Sequence, residues 1–418
     1  MSGDPAAALA AALAGRRPGD LVLAVSGGGD STALMHLAAE WAGSRPAGAG
    51  RLAALTVDHG LRPEAAAEAA MVARAARRLS IDHDVVTWRE HEARGNLQGA
   101  ARAARYRLMG DWARRAGRSA VVLAHTQDDQ AETVLMALAR AAGVDGLSAM
   151  APVTEARGIA WLRPFLGVGR GALREMLSAR DAGWAEDPGN DDPRQERVRA
   201  RRALAHLAPL GLDAPALAGT AGRMRTARAA LEHGALALAR RAVRLEAGDV
   251  MLDEPALADA PEELARRVMA DAVWFVSGAE SPPRGRALSG ARARLTGGGR
   301  TTLAGCLLTA GRGILRITRE YAAIADLACP ADAPWDGRWR LEGPAAPEDA
   351  RLAALGPEGL HALGDAGTAP RPAASLVAEP ALWRGTSLLA APLATGRGEW
   401  RITRLPGPGH LIARIGAH

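Results

Sequence analysis

The sequence predicts an α/β protein: a parallel sheet with helices on both faces, followed by a helical region and a small β-containing C-terminal region. Three observations carry this. In the first 150 residues short β-rich runs alternate with longer stretches of helical spacing, as in a sheet covered on both faces. Polar segments directly follow those runs, where ligands sit in such sheets. Beyond about residue 210 the alternation gives way to Ala/Leu/Arg stretches of helical spacing.

The strand-like runs are Leu21–Val25, Leu52–Val57, Val85–Trp88 and Ala120–Leu123. The helical stretches are Thr32–Trp41, Glu64–Leu79, Leu97–Arg115 and Ala124–Ala142. From about Trp161 to Leu207 the chain is rich in arginine, broken by the segment from Trp184 to Asn190. Ala214 to Val276 reads as mostly helical, with apolar spacing through Leu231, Leu236, Leu238 and Val243. Arg286 to Thr318 alternates like strands, with Gly297–Gly299 as a turn. Past Cys329 proline and glycine rise and periodicity fades, which fits either a small β-rich module or a loosely ordered extension. A chain of 418 residues exceeds one core, and at ~150 residues per domain about three are expected. The divisions fall at 1–208, 209–325 and 326–418.

Composition narrows the function classes. All 52 basic residues are arginine, against 46 acidic ones, for a net charge of +6. A coding bias toward alanine, glycine and arginine accounts for most of this, but the consequence holds: arginine stays charged and presents a planar donor fork suited to phosphate. The absence of lysine excludes Schiff-base chemistry and the lysine-bearing phosphate loop. Cys306 and Cys329 are too few for a disulfide framework or a four-thiolate metal site. No apolar run approaches the ~18 residues of a membrane span, and residues 1–19 lack a basic leader before an apolar core. A soluble, cytoplasmic protein is expected; nothing in the sequence fixes its oligomeric state.

The first strand-like run leads into Ser26-Gly27-Gly28-Gly29-Asp30-Ser31 and then a helix. Successive glycines allow positive φ and close backbone approach, so that N–H groups converge on an anion; the helix N-terminus and two hydroxyls add to this. A plain glycine-rich turn with Asp30 or Ser31 as helix cap is the bland alternative. The order of residues matches neither the lysine-bearing phosphate loop nor the dinucleotide fingerprint. Asp30 beside phosphates would repel them unless Mg²⁺ bridges, so the motif points to a metal–nucleotide pair. On a helix Ala124–Ala142, His125, Asp128, Asp129 and Glu132 share one face at i, i+3, i+4 and i+7. These carboxylates can hold a cationic amine, coordinate Mg²⁺ or take a proton; offsetting the helix dipole is their bland role. Asp58 and His59, after the second run, are either nucleotide-proximal or part of a structural turn. For Arg102, Arg105 and Arg197 the choice is between phosphate or carboxylate contacts and an exposed helix face.

The hexapeptide Ser26–Ser31 resembles the loop of the N-type ATP pyrophosphatases, the PP-loop superfamily, which cleave ATP between its α and β phosphates to adenylate a substrate. Four later segments resemble one branch of it, the tRNA(Ile)-lysidine synthases. They are Val57-Asp58-His59-Gly60-Leu61-Arg62; Gly95-Asn96-Leu97-Gln98 running into Ala101–Tyr106; Ala124–Thr133 with Gly146-Leu147-Ser148-Ala149-Met150; and Arg163-Pro164 with Glu186–Asn190 ahead of Arg197 and Arg201. The resemblance covers roughly residues 20 to 205. Gln98 and Val198 depart from a glutamate and an asparagine common at those positions, and they bear on fine geometry.

The resemblance implies a Rossmann-like fold and a ligase. Mg-ATP adenylates the wobble cytidine of a CAU-anticodon tRNA(Ile), and the ε-amine of free L-lysine then replaces AMP at carbon 2, changing codon specificity from AUG to AUA. It implies ATP binding by Ser26, Gly27, Gly28, Gly29, Asp30 and Ser31, with Asp30 also the metal ligand. Lysine is held by Asp129, Glu132 and Arg197, and the catalytic set is Asp30, His125, Asp129, Arg105 and Arg197. The region from about Ala214 onward would grip the tRNA through arginine–phosphate contacts. Three rivals are weighed against this. A tRNA thiolase needs a cysteine in a motif, and neither Cys306 nor Cys329 lies in one. An amidotransferase-type ligase would show no tRNA dependence, and a catalytically dead binding module is opposed by intact Asp30, Asp129, Glu132 and Arg197.

Overall fold

The computed structural model describes residues 3–46, 48–58, 65–88, 97–186, 194–295, 297–364, 370–405, 407 and 411–413. It divides into two compact units, Met1–Arg228 and Ala229–His418.

The first unit is built on six strands: β1 (Leu21–Ala24), β2 (Ala53–Asp58), β3 (Asp82–Thr87), β4 (Ala120–Val122), β5 (Val153–Ala156) and β6 (Ile159–Leu162). They lie in the order β3-β2-β1-β4-β6-β5, and all pairs are parallel except β5 with β6. Its helices are α1 (Pro5–Ala12), α2 (Gly29–Gly43), α3 (Ala65–Arg78), α4 (Leu97–Arg115), α5 (Gln127–Ala139), the short α6 (Val144–Leu147), α7 (Arg170–Ser178) and α8 (Glu196–Leu207). Side-chain alternation along β1 explains the layers. Leu21 and Leu23 join Leu34, Leu37, Phe165 and Leu173 in one core, whereas Val22 joins Met109, Ala113 and Trp161 on the opposite face. The parallel α/β class is therefore as predicted. The antiparallel hairpin β5–β6 was not: Val153–Ala156 is exposed on the sheet edge and carries no apolar alternation to reveal it.

The order reverses between β1 and β4, so the chain leaves these neighbouring strands in opposite directions and opens a crevice at their carboxyl ends. The segments leaving β1, β4 and β6 each reach a helix, so α2, α5 and α7 all begin at this edge.

Helix α9 (Ala214–Ala242) carries the division between the units. The second unit pairs β7 (Val243–Glu246), β8 (Asp249–Asp253), β9 (Gly299–Leu303), β10 (Cys306–Gly311) and β11 (Ile314–Arg319) in the antiparallel order β7-β8-β11-β10-β9. The helices α10 (Glu254–Ala258), α11 (Glu262–Ser277) and α12 (Gly285–Arg294) accompany this sheet, with Val268, Val273, Val276, Leu308 and Ile317 in one core. Two expectations are corrected here. The hairpin β7–β8 interrupts the helical reading of Ala214 to Val276, and Arg286–Arg294 is helical because Leu288 and Ala291, three apart, bury one face.

The last ninety residues are a β-rich module among the described residues. It comprises β12 (Ala328–Pro330), β13 (Trp339–Glu342), β14 (Ala350–Ala354), β15 (Pro380–Arg384), β16 (Ser387–Ala390) and β17 (Arg401–Arg404), in sheets β12-β14-β15-β16 and β13-β17. Trp335 is fully buried at its centre, and its indole N–H donates to the Leu327 carbonyl at 2.9 Å. Truncation there leaves both a cavity and an orphaned carbonyl. Trp335→Ala is expected to destabilise this unit by about 3–5 kcal/mol, read as a lower denaturant midpoint.

Candidate active site

The turn after β1 is shaped by one residue. Gly27 sits at φ +90°, a conformation only glycine adopts without strain, whereas Gly28 is extended at φ −70° and caps α2. Of the three glycines expected to supply positive φ, Gly27 alone does. The Ser31 hydroxyl closes the loop by donating to the Gly28 carbonyl at 2.9 Å, while Ser31 Oγ accepts the Ser26 N–H at 3.2 Å. Thr32 Oγ1 donates to the Gly27 carbonyl at 3.2 Å. A strap lies across this loop: the Ala185 N–H donates to the same carbonyl at 2.9 Å, and the Trp184 indole lies 3.5 Å from where a Gly29 Cβ would stand. A Cβ at Gly28 would meet only Ser26 Oγ, at 3.8 Å, so this residue presents open space in front of the loop.

On the other side of the crevice α5 begins with a reciprocal cap. The Asp129 N–H donates to Thr126 Oγ1 at 3.3 Å, and the Thr126 N–H donates to Asp129 Oδ2 at 2.8 Å. His125 therefore precedes the helix instead of lying on it, a correction to the single-face reading; Asp128, Asp129 and Glu132 do belong to α5. Gln130 locks the helix to the segment after it: its amide donates to the Met150 carbonyl at 2.8 Å and accepts the Met150 N–H at 2.9 Å. This gives the Gly146–Met150 motif a structural role.

Loop and helix are joined by a residue the sequence reading missed. Arg170, the first residue of α7, donates from Nε to Asp30 Oδ2 at 3.2 Å and from Nη2 to Asp129 Oδ1 at 3.2 Å, and Nη2 lies 3.8 Å from Glu132 Oε1. Its backbone N–H donates to Asp128 Oδ2 at 2.7 Å. A further signal was available: an arginine opening a helix that follows a strand of the parallel sheet faces the same carboxyl edge as the motifs after β1 and β4. From α8, Arg201 donates to Glu132 Oε1 at 2.9 Å, and Arg197 Nη1 stands 3.7 Å from Asp129 Oδ1. Val198 between them is buried, so the departure at that position serves packing.

The structure thus brings Asp30, Asp129, Glu132 and Arg197 together. Arg105 lies in the same neighbourhood, with burial foremost pulling its pKa down and Arg102 and Arg197 as like-charged neighbours; Arg105 Nε meets no partner among the described residues. Arg102 is exposed and stacks on Tyr106 instead. Asp58 ends β2, part-buried. His59, Gly95, Asn96 and the segment from Asp187 to Asn190 lie outside the described residues, as does the Gln98 side chain.

Burial sets the protonation states. It raises the Asp30 and Glu132 carboxyls, against the pull of Arg170 on the first and Arg201 on the second. Asp129 faces the same burial, but Arg170 and the Thr126 N–H overcome it and hold the carboxylate below its ordinary range. The His125 imidazole is pushed down to about 3 by burial foremost, so it is neutral at any physiological pH. Asp30 Oδ1, Glu132 Oε2 and His125 Nδ1 are buried and meet no hydrogen-bond partner among the described residues. Each is a polar atom with capacity for something outside the chain.

A PP-loop domain model matches residues 4–208. The tRNA(Ile)-lysidine synthase of Ruegeria pomeroyi is 45% identical over 410 residues, which cover 98% of this chain and 97% of that one. That of Methylobacterium nodulans is 45% identical, covering 72% of this chain and 91% of its own. Among solved structures, a U34-tRNA thiolase from Methanococcus maripaludis superposes with a TM-score of 0.45 at 13% identity, over 53% of this chain and 77% of that one.

Two outcomes are expected. Gly27→Ala strains the loop and lowers the melting temperature, whereas Gly28→Ala leaves melting unchanged but obstructs the space before the loop, lowering ATP turnover; calorimetry and pyrophosphate release separate them. Neutral His125 binds fewer protons folded than unfolded between about pH 6.5 and about 3, so stability falls as pH drops through that window. His125→Gln should remove up to about 1.4 kcal/mol per pH unit of that slope, measured by denaturant titration at successive pH values. The PP-loop match and the 45% identity over nearly the whole length show that the chain belongs to the tRNA(Ile)-lysidine synthase family.

Proposed function

We propose that this chain is the ligase that joins lysine to carbon 2 of the wobble cytidine of a CAU-anticodon tRNA(Ile), at the expense of ATP. The observation that carries the reading is the facing of two sites across one crevice: a glycine-bent loop ending in Asp30 and, bridged to it by Arg170, the carboxylates Asp129 and Glu132.

In the first step the cytidine O2 attacks the α-phosphorus of ATP, forming an O–P bond as pyrophosphate leaves. In the second the lysine ε-nitrogen, having lost its proton, attacks carbon 2 and AMP departs with the oxygen. We assign the phosphates to Ser26–Ser31, where Gly28 leaves open space in front of the loop. The residues present fit a Mg²⁺ ion: Asp30 offers a buried oxygen that meets no partner among the described residues, and one or two carboxylates are the usual protein share for Mg²⁺ bound with phosphates. When bound, the ion neutralises phosphate charge, and Asp30 is the residue that holds it. Asp129, already ionised, and Arg197 orient the lysine. Glu132, whose raised carboxyl sits nearer neutrality, is the better proton acceptor for its ammonium. His125 is too weak a base to keep that proton, so its role is to hydrogen-bond at the reacting centre. Arg105 answers developing phosphate charge. Positioning and charge stabilisation supply most of the acceleration, and the target base must be unstacked to be reached.

The arginine-rich segments from Ala214 onward contact the tRNA body in this reading, and the reaction is cytoplasmic. Cys306 is no sulfur carrier, since burial pushes its thiol up to about 12. The test is transfer of radiolabelled lysine to a CAU-anticodon isoleucine tRNA transcript in the presence of Mg-ATP, with a methionine tRNA as control. Label on the isoleucine tRNA alone is expected; tRNA-dependent pyrophosphate release without label would point to another nucleophile. Asp30→Asn should lower pyrophosphate release at least about a hundredfold. Glu132→Gln should raise the lysine KM by about 10–100-fold while pyrophosphate release persists, the loss expected for a charged hydrogen bond.

A further inference from the structure

Arg170 is placed where an arginine is costly. As the first residue of α7 it faces the positive end of that helix's dipole, which disfavours a cation. Its side chain is only 18% exposed, and its guanidinium bridges carboxylates from two other helices: Asp30 of α2 and Asp129 of α5, with Glu132 close by. Among the described residues no other cation pairs with Asp30. On the reading above, Asp129 and Glu132 are the groups that must receive the lysine ammonium, yet a guanidinium already stands against them.

We propose that Arg170 is an internal counter-ion that occupies the amine-binding carboxylates until nucleotide arrives, making lysine binding conditional on Mg-ATP. This rests on the function proposed above and adds to it an order of binding. A substrate ammonium on Asp129 and Glu132 would sit within ~4 Å of the guanidinium. At an effective dielectric of ~20, repulsion at that distance weakens binding by about a thousandfold. Nucleotide removes the conflict. Phosphates seated on Ser26–Ser31 would lie beside Asp30, whose Oδ2 is 3.2 Å from Arg170 Nε, and phosphate is an anion that a guanidinium fork matches well. Once the fork turns to phosphate, Asp129 and Glu132 are released to the substrate amine. Arg197 and Arg201 remain, one 37% and the other 40% exposed and so better screened. Arg170 is thus a positioning residue: it acts on lysine through the carboxylates.

Equilibrium dialysis with radiolabelled lysine tests this on the full chain, with and without Mg²⁺ and a non-hydrolysable ATP analogue. The unsubstituted protein should bind lysine at least about tenfold more tightly with the analogue than without; equal affinity overturns the proposal without recourse to any variant. Arg170→Met should bind lysine in the absence of nucleotide at least about tenfold more tightly than the unsubstituted protein, with the nucleotide effect gone. A merely structural bridge predicts the reverse, because its loss would loosen the carboxylates and weaken lysine binding in every condition. Unchanged or weaker binding by Arg170→Met, in a protein that melts normally, therefore overturns the counter-ion role while lysine transfer by the unsubstituted protein leaves the ligase reading intact. Failure of the unsubstituted protein to transfer lysine to tRNA overturns both together.

Discussion

Four carboxylates, Asp30, Asp128, Asp129 and Glu132, share the carboxyl edge of one sheet, and their mutual repulsion is the constraint on which the rest of the site depends. Asp129 and Glu132 are nearly buried, so solvent cannot dissipate their charge. A buried charge persists only if it is paired and hydrogen-bonded. The pairing comes from elements that follow in sequence: Arg170 from α7, and Arg197 and Arg201 from α8. None of these contacts is local. The charge cluster forms only when β1, β4 and β6 have assembled in order, and the site is a readout of the completed sheet.

The helix N-termini add a second level of support. Helices α2, α5 and α7 begin at neighbouring strand ends, so their dipoles converge on the carboxylates and offset part of the repulsion. Asp129 answers its own dipole through the cap with Thr126, which also fixes the carboxylate's rotamer. The strap through Trp184 and Ala185 acts on the other wall. It satisfies the Gly27 carbonyl with a backbone donor and so helps hold the turn in shape.

Much of this was legible in the residues. The alternation of apolar runs with helical stretches marks the parallel sheet, because strands buried on both faces are mostly apolar. The polar segments that end them mark the crevice. The loop Ser26–Ser31 and the carboxylates of α5 could be named because each is contiguous in sequence. Arg170 was missed: position after a strand was its one signal, and its partner Asp30 lies 140 positions away. In a chain where arginine is the only strong cation, identity alone distinguishes none of them. His125 was placed on a helix it precedes, because Thr126 looks no different from an interior residue until its cap is formed. The edge strand β5 and the hairpin β7–β8 escaped for a related reason: exposed or short strands carry little periodicity.

The arginine lining has a chemical consequence. A guanidinium keeps its proton at any pH the enzyme meets, and its nitrogens share their lone pairs across the plane. It can balance charge beside an activated carbon without competing for it. A primary amine at position 170, 197 or 201 would titrate when buried and become a nucleophile a few ångströms from the reacting centre. With Arg170, Arg197 and Arg201 around Asp129 and Glu132, and no lysine side chain anywhere in the chain, the proposed electrophile meets one kind of alkyl ε-amine, the one delivered as substrate. Self-ligation is thereby removed by composition, with no need for a barrier to exclude it.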